Sequence, residues 1–254
     1  MIERRLQEQN CASRSAGKDH ADEASREQAR TAAKHSSLLA NLAEADHLQI
    51  IAAAQEKKYP RRQTLFLEGD PVRNVILLTS GYAKLMQFGQ SGTEVILRLS
   101  GPGEVVGAVG LSGQVRHDAM ARSVDAVSAL VWESSTFESL SDRYPMLRRN
   151  TTRILCQRLQ EMEQRYLEIS TEKVAARLSH ELIRLHSQIG RSVNGNGTKE
   201  IGLSREELAQ MTGTTLFTIS RLLSEWDQLG IVRTRRAAVS ILKLCALQGL
   251  ALEG

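Results

Sequence analysis

The chain has 254 residues, with 33 basic against 29 acidic side chains and a formal net charge of +4. That length allows one large domain or two modest ones, each able to bury a core, and the small positive excess suits a polyanionic partner without requiring one. Cys11, Cys156 and Cys245 are odd in number and far apart, which excludes a disulfide framework and a CxxC zinc site; with no long apolar run and no signal peptide, they predict a cytoplasmic protein with no membrane partner.

Residues 1–35 are rich in Glu, Arg, Lys, Gln, Ser and Ala, and beyond Met1 their only large aliphatics are Ile2 and Leu6. Such a segment buries too little apolar surface to offset its ordering entropy, so a disordered or loosely helical polar tail is expected. From Ser36, the spacing of Leu38, Leu39, Leu42, Leu48, Ile50 and Ile51 predicts a helix. The texture changes at Tyr59 and Pro60. Up to about Glu133 the chain reads as short strands such as Thr64–Leu67, Val75–Leu78 and Val95–Leu99, separated by turns at Gly69, Gly81, Gly89, Gly92, Gly101 and Gly103. This is the pattern of an all-β sandwich or barrel.

After Pro145 the helical pattern returns. Leu155, Leu159, Met162, Tyr166 and Ile169 step by four, three, four and three, the seam of a two-stranded coiled coil, flanked by Arg158, Glu161, Glu163, Gln164 and Arg165. A homodimer helix is the favoured reading over a single helix packed on its own β domain. A further helix is predicted from Glu172 to about Ile189 on Val174, Leu178, Leu182, Ile183 and Leu185, followed by a loop over Gly190–Glu200.

Leu203–Val232 carries the most specific pattern. Ser204 with Glu207 forms a capping box, and Leu208 and Met211 give the first helix an apolar face. Gly213 stands where a tight turn needs a left-handed backbone. Thr215 can cap a second helix running to about Gln228. On it Ile219, Leu222, Leu223 and Trp226 form an inward stripe, while Phe217, Ser220, Arg221 and Ser224 fall on another face, led by Thr214, Thr215, Leu216 and Thr218. This is the layout of a helix-turn-helix that presents short polar groups and an arginine to base edges. Beyond it, Val232–Ile241 reads as a two-stranded wing whose Arg233, Arg235 and Arg236 can meet phosphates.

A β domain, a seam helix and a winged helix-turn-helix in that order resemble the Crp/Fnr family of bacterial transcription regulators. The resemblance spans about Ser36 to Ala251 and rests on Phe66–Asp70, Ile76–Gly81, Gly103–Leu111, Glu172–Leu178 and Thr218–Leu223. It implies an α+β chain with the following parts: a polar tail at 1–35, a jelly-roll-like antiparallel β-roll sensor of the cyclic-nucleotide-binding type at 36–144, a dimerisation helix at 145–170 and a winged helix-turn-helix at 171–254. It further implies a homodimer on a near-palindromic DNA operator, with RNA polymerase as partner if the protein is an activator. Ser220 and Arg221 match the pair of the Fnr-like branch. Ser204 falls at the start of the DNA-contacting unit. Where well-studied members carry a base-reading glutamate, this chain has Phe217.

The effector site implied by the resemblance comprises Gly107, Ala108, Val109, Arg116, His117 and Asp118, with Met162 reaching in from the long helix. Cyclic-AMP binders of the family carry Gly-Glu and, further on, Arg-Ser. Here Gly107 and Ala108 and then His117 and Asp118 occupy those places. The ribose-holding glutamate and the phosphate-meeting arginine are absent, Asp118 repels an anion, and the adenine-contacting Thr-Ser pair falls on Met162 and Glu163. These departures argue against cyclic AMP. An Fnr-type iron–sulfur cluster needs four thiolates, one more than the chain has. Haem has only His117 as a candidate axial ligand between Tyr59 and Glu133, the strand-patterned stretch, and is otherwise unsupported, so the cofactor is left open. Cys156 is expected as a buried structural thiol. No catalytic triad, P-loop or HExxH is present, which predicts a non-enzyme. Two rival readings are a ligand-independent DNA-binding protein with the β-roll as scaffold, and an effector-binding module acting through protein partners.

Overall fold

The computed structural model describes residues 31–108, 115–192 and 199–252. Most of the expected polar tail, and Val109 of the expected effector site, lie outside these residues. In the last part of that tail residues 31–34 are helical, and Ala33 is fully buried, which the polar composition did not announce. The helix expected from Ser36 is also shorter. Residues 36–41 form turns, with Asn41 at φ 60°, and α1 spans Glu44–Ala52. Ser36 shows why: its hydroxyl donates to the Ala33 carbonyl and accepts from the Leu39 amide, a local alternative to helix continuation.

Eight strands follow: β1 Gln55–Tyr59, β2 Thr64–Phe66, β3 Asn74–Ser80, β4 Ala83–Phe88, β5 Glu94–Ser100, β6 Val105–Val106, β7 Met120–Ser123 and β8 Val127–Glu133. They form two antiparallel sheets, ordered β1-β8-β3-β6 and β2-β7-β4-β5. In β3, Ile76 and Leu78 pack with Phe66, Ala83 and Ala121 of the opposite sheet. Val75 and Leu77 on the other face join Leu38, Leu39, Ile50, Trp132 and Phe137 in a second core under the helices. The period-two alternation of a strand therefore feeds two cores, and β3 is an unbroken apolar run because both its faces are covered. β1 began before the expected boundary. Its polar sequence, with Lys57 and Lys58 exposed at a sheet edge, carries no apolar alternation to read.

Two helices then leave the roll: α2 over Ser134–Arg143, which the strand pattern did not predict, and α3 over Pro145–Thr171. The first half of α3 is anchored by Leu147, Asn150, Thr151 and Ile154; the fully buried Asn150 amide donates to the carbonyls of Leu38 and Ala40. Beyond Ile154 the seam residues are open: Leu155, Leu159, Met162, Tyr166 and Ile169 are all exposed. Cys156 lies beside Leu155 and is exposed, contrary to the buried thiol expected.

The C-terminal part comprises α4 Val174–Gln188, β9 Arg191–Ser192, β10 Lys199–Ile201, α5 Arg205–Thr212, α6 Leu216–Gln228, β11 Val232–Arg235, β12 Ala238–Ile241 and α7 Leu244–Leu252, the last unforeseen in the sequence reading. Its third sheet runs β11-β12-β10-β9. Leu178, Leu182, Leu208, Ile219, Leu223, Trp226 and Leu247 build its core, and Ile96 and Leu99 of β5 belong to the same cluster. The α+β architecture of antiparallel roll, long helix and winged helical unit is the one expected.

Candidate nucleic-acid interface

The interface is set by two helix caps and one turn. Ser204 accepts from the Glu207 amide at 3.2 Å, and the Glu207 carboxylate accepts from the Ser204 amide at 3.0 Å, closing the capping box of α5. Gly213 ends α5 at φ 63°, ψ 43°. Thr215 then caps α6 by accepting from the Thr218 amide at 3.2 Å. A Cβ at Gly213 meets nothing within 4 Å, so Gly213→Ala is expected to cost about 1 kcal/mol from left-handed backbone strain alone. Denaturant unfolding measures this; an unchanged midpoint would mean that the turn relaxes freely.

The stripe of α6 divides as its spacing dictates. Ile219, Leu222, Leu223 and Trp226 are buried, whereas Leu216, Phe217, Arg221 and Ser224 are exposed. Thr214, Thr218 and Ser220 are half-buried and Thr215 is exposed at the leading end. Arg221 makes no hydrogen bond or ion pair among the described residues. Four hydroxyls are already engaged: Ser204 donates to Glu207 at 3.0 Å, Ser224 donates to the Ser220 carbonyl at 2.7 Å, and those of Thr215 and Thr218 pair with each other at 2.9 Å. Ser204 thus acts first as a cap, with no hydroxyl proton free for a phosphate.

The wing is fastened to α6 by contacts the sequence reading missed. Asp227 accepts from the Thr234 amide at 3.1 Å and hydroxyl at 2.7 Å, and Arg205 donates to that hydroxyl at 3.3 Å. These Thr234 donors, with Arg233 and Arg205 nearby, hold the Asp227 carboxyl below the usual range. Arg233, Arg235 and Arg236 are exposed around this tie, and Arg235 also lies 3.6 Å from Glu200.

The expected effector residues are not gathered in one place. His117 is buried, its ring stacked on Phe66 at 3.6 Å between centroids, and burial lowers its pKa. With Asp70, Arg73 and Asn74 it lines a cavity of about 340 Å³. Gly107 lies against this stack at φ 75°; a Cβ there would come within 2.5 Å of the Phe66 ring. Arg116 is exposed and donates to the Gly69 carbonyl at 2.6 Å, and Asp118 is exposed. Met162 is exposed on the seam face of α3, where the coiled-coil spacing also places it. Arg158 reaches the roll instead, donating to the carbonyls of Gly107 at 2.6 Å and Val105. Burial, with Arg98 adding to it, brings its pKa down to about 10. Ala108 offers no carboxylate to a ribose, and the guanidiniums of Arg116 and Arg158 are held by carbonyls.

The free face of α6, the wing and the β-roll on a long helix define a DNA-binding regulator of the winged helix-turn-helix class. A cyclic nucleotide-binding domain model matches residues 56–144 and a Crp-like helix-turn-helix model matches 176–250, more than half of the chain between them. The transcriptional activator protein Anr of Pseudomonas aeruginosa is 27% identical over 193 residues, 75% of this chain and 79% of that protein. The cyclic AMP receptor protein of Thermus thermophilus is 28% identical over 197 residues, 78% and 88% of the two chains. The c-di-GMP-responsive global regulator CLP of Xanthomonas campestris superposes with a TM-score of 0.68 at 21% identity, over 78% of this chain and 99% of that one. The chain belongs to the Crp/Fnr family of transcription regulators.

Proposed function

We propose that the chain acts as a homodimer whose two α6 helices enter successive major grooves of a near-palindromic operator. The observation that carries this is the division of α6, with four apolar residues buried and Phe217, Arg221 and Ser224 exposed on the opposite side. Support for the dimer comes from the open stripe on α3: Met162 is 68% and Tyr166 76% exposed, far more than a helix packed only on its own domain would leave. Ser220, Arg221 and Ser224 address base edges, and Arg233, Arg235 and Arg236 address phosphates. The β-roll, which includes residues 31–35 as well as 36–144, is the sensor, and α3 passes its state to the C-terminal unit from 171 onward. The protein works in the cytoplasm, and as an activator it would contact RNA polymerase.

The test is selection of bound DNA from a random pool at fixed salt, alongside sedimentation of the wild type and Leu159→Asp. The expected result is a two-fold symmetric motif with half-sites about 34 Å apart. The wild type should sediment as a dimer, and the variant, with a charge in each copy of the seam, as a monomer that enriches no motif. A monomeric wild type, or a seam variant that still enriches the symmetric motif, would overturn the dimer reading.

A further inference from the structure

We propose that Phe217 is a specificity residue that reads thymine in each half-site through the C5 methyl group. This rests on the operator-binding reading above. Phe217 is 78% exposed, the most open of the four phenylalanines, whereas Phe66 and Phe137 are buried in the cores. The ring therefore does not fold back onto its own domain, and the adjacent Leu216 is 51% exposed beside it. Residues 217, 220, 221 and 224 share one helix face, so Phe217 lies at the leading end of the face that carries Arg221. A recognition helix presents that end to base edges. Phenylalanine has no donor or acceptor, and the apolar feature that distinguishes base pairs in the major groove is the thymine methyl. Sugar carbons are the other apolar surface within reach, and they carry no sequence information. Four residues along α6 span about 6 Å and base pairs stack at about 3.4 Å. The thymine read by Phe217 therefore lies within about two base pairs of the base met by Arg221.

The experiment uses the full chain and its selected operator, with each thymine of the half-sites replaced in turn by deoxyuridine, which differs only in lacking the methyl. Burying one methyl is worth about a fourfold change in affinity, so a symmetric pair of replacements should weaken wild-type binding about fifteenfold. This loss should appear at one position per half-site and vanish in Phe217→Ala, whose exposed site leaves folding unaffected; circular dichroism checks this. An operator insensitive to every deoxyuridine overturns the thymine contact while leaving the operator reading intact. Equal sensitivity in Phe217→Ala assigns the methyl to another residue and overturns the role of Phe217. Failure of the wild type to enrich any operator overturns the reading beneath it.

Discussion

Arg221→Ala is expected to remove operator-specific binding while leaving the fold and general DNA affinity in place. Arg221 is exposed and has no partner among the described residues, so its loss should change stability by less than about 0.5 kcal/mol. In the groove its planar fork can meet guanine O6 and N7 together, a contact worth about 1–3 kcal/mol of discrimination. A dimer uses it twice, so about 2–6 kcal/mol is at stake. That is comparable to the whole gap of about 4–10 kcal/mol between specific and non-specific binding. Competition between operator and non-specific DNA at fixed salt measures it. Arg221→Lys separates the two candidate roles. If the guanidinium reads a base, lysine keeps the salt dependence and loses discrimination. If it meets a phosphate, alanine lowers affinity for all sequences alike and reduces the salt slope by about 0.9 per half-site, whereas lysine restores both. Undiminished specificity in Arg221→Ala would refute the assignment.

The recognition unit was legible because its signals are local. A capping box, a left-handed glycine and a helical stripe each depend on residues within one or two turns, and Ser204, Gly213 and Trp226 take the places their spacing assigns. The β-roll was legible in outline for a similar reason, since the apolar run of β3 and the turn glycines leave few other folds. What escaped depends on partners distant in sequence. β1 is held by pairing with β8, not by apolar alternation of its own. α2 places only Phe137 and Ser141 fully inside, too sparse a pattern to announce a helix. The contacts around the expected effector residues escaped for the same reason. The set was carried over position by position, but Met162 turns to the seam and Arg158, one turn earlier, is the residue that reaches Gly107. Nor could spacing reveal that β5 joins the core of the DNA-binding unit or that Arg165 of α3 donates to the Leu97 carbonyl at 2.6 Å.

Those long-range contacts converge on a cluster whose disruption should have the largest effect on stability. Arg184 of α4 donates to both oxygens of Glu168 on α3, at 2.7 and 2.9 Å, and to Glu181 at 2.8 and 3.1 Å. Both carboxylates are buried, Glu168 to 3% and Glu181 to 1% exposure. Burial alone would raise the Glu168 pKa. The donors of Arg184 reverse this, with Gln164 and His180 adding to them, and hold the group below its ordinary value. Arg184→Ala leaves buried charge without its guanidinium, which is expected to cost about 3–5 kcal/mol. The pH dependence identifies the cause. In the wild type the folded pKa of Glu168 is lowered, so its contribution is fully present above the unfolded value and is lost as pH falls through the folded one. In Arg184→Ala burial dominates and the folded pKa is raised. The deficit is then fullest near neutrality and shrinks on acidification through that raised value, as the proton removes the buried charge. Denaturant unfolding from pH 7 down to 4 should therefore show the two stabilities converging. Glu181 keeps Arg165 at 3.4 Å, so Glu168 should account for most of the change. The cluster joins α3 to the first helix of the DNA-binding unit, so in the proposed dimer loosening it would free the spacing of the two recognition helices. Operator affinity should then fall in Arg184→Ala even where the protein remains folded, with Arg184→Lys intermediate because one ammonium cannot serve both carboxylates in the fork geometry. A deficit that does not change with pH would place the effect in lost packing of the arginine stem.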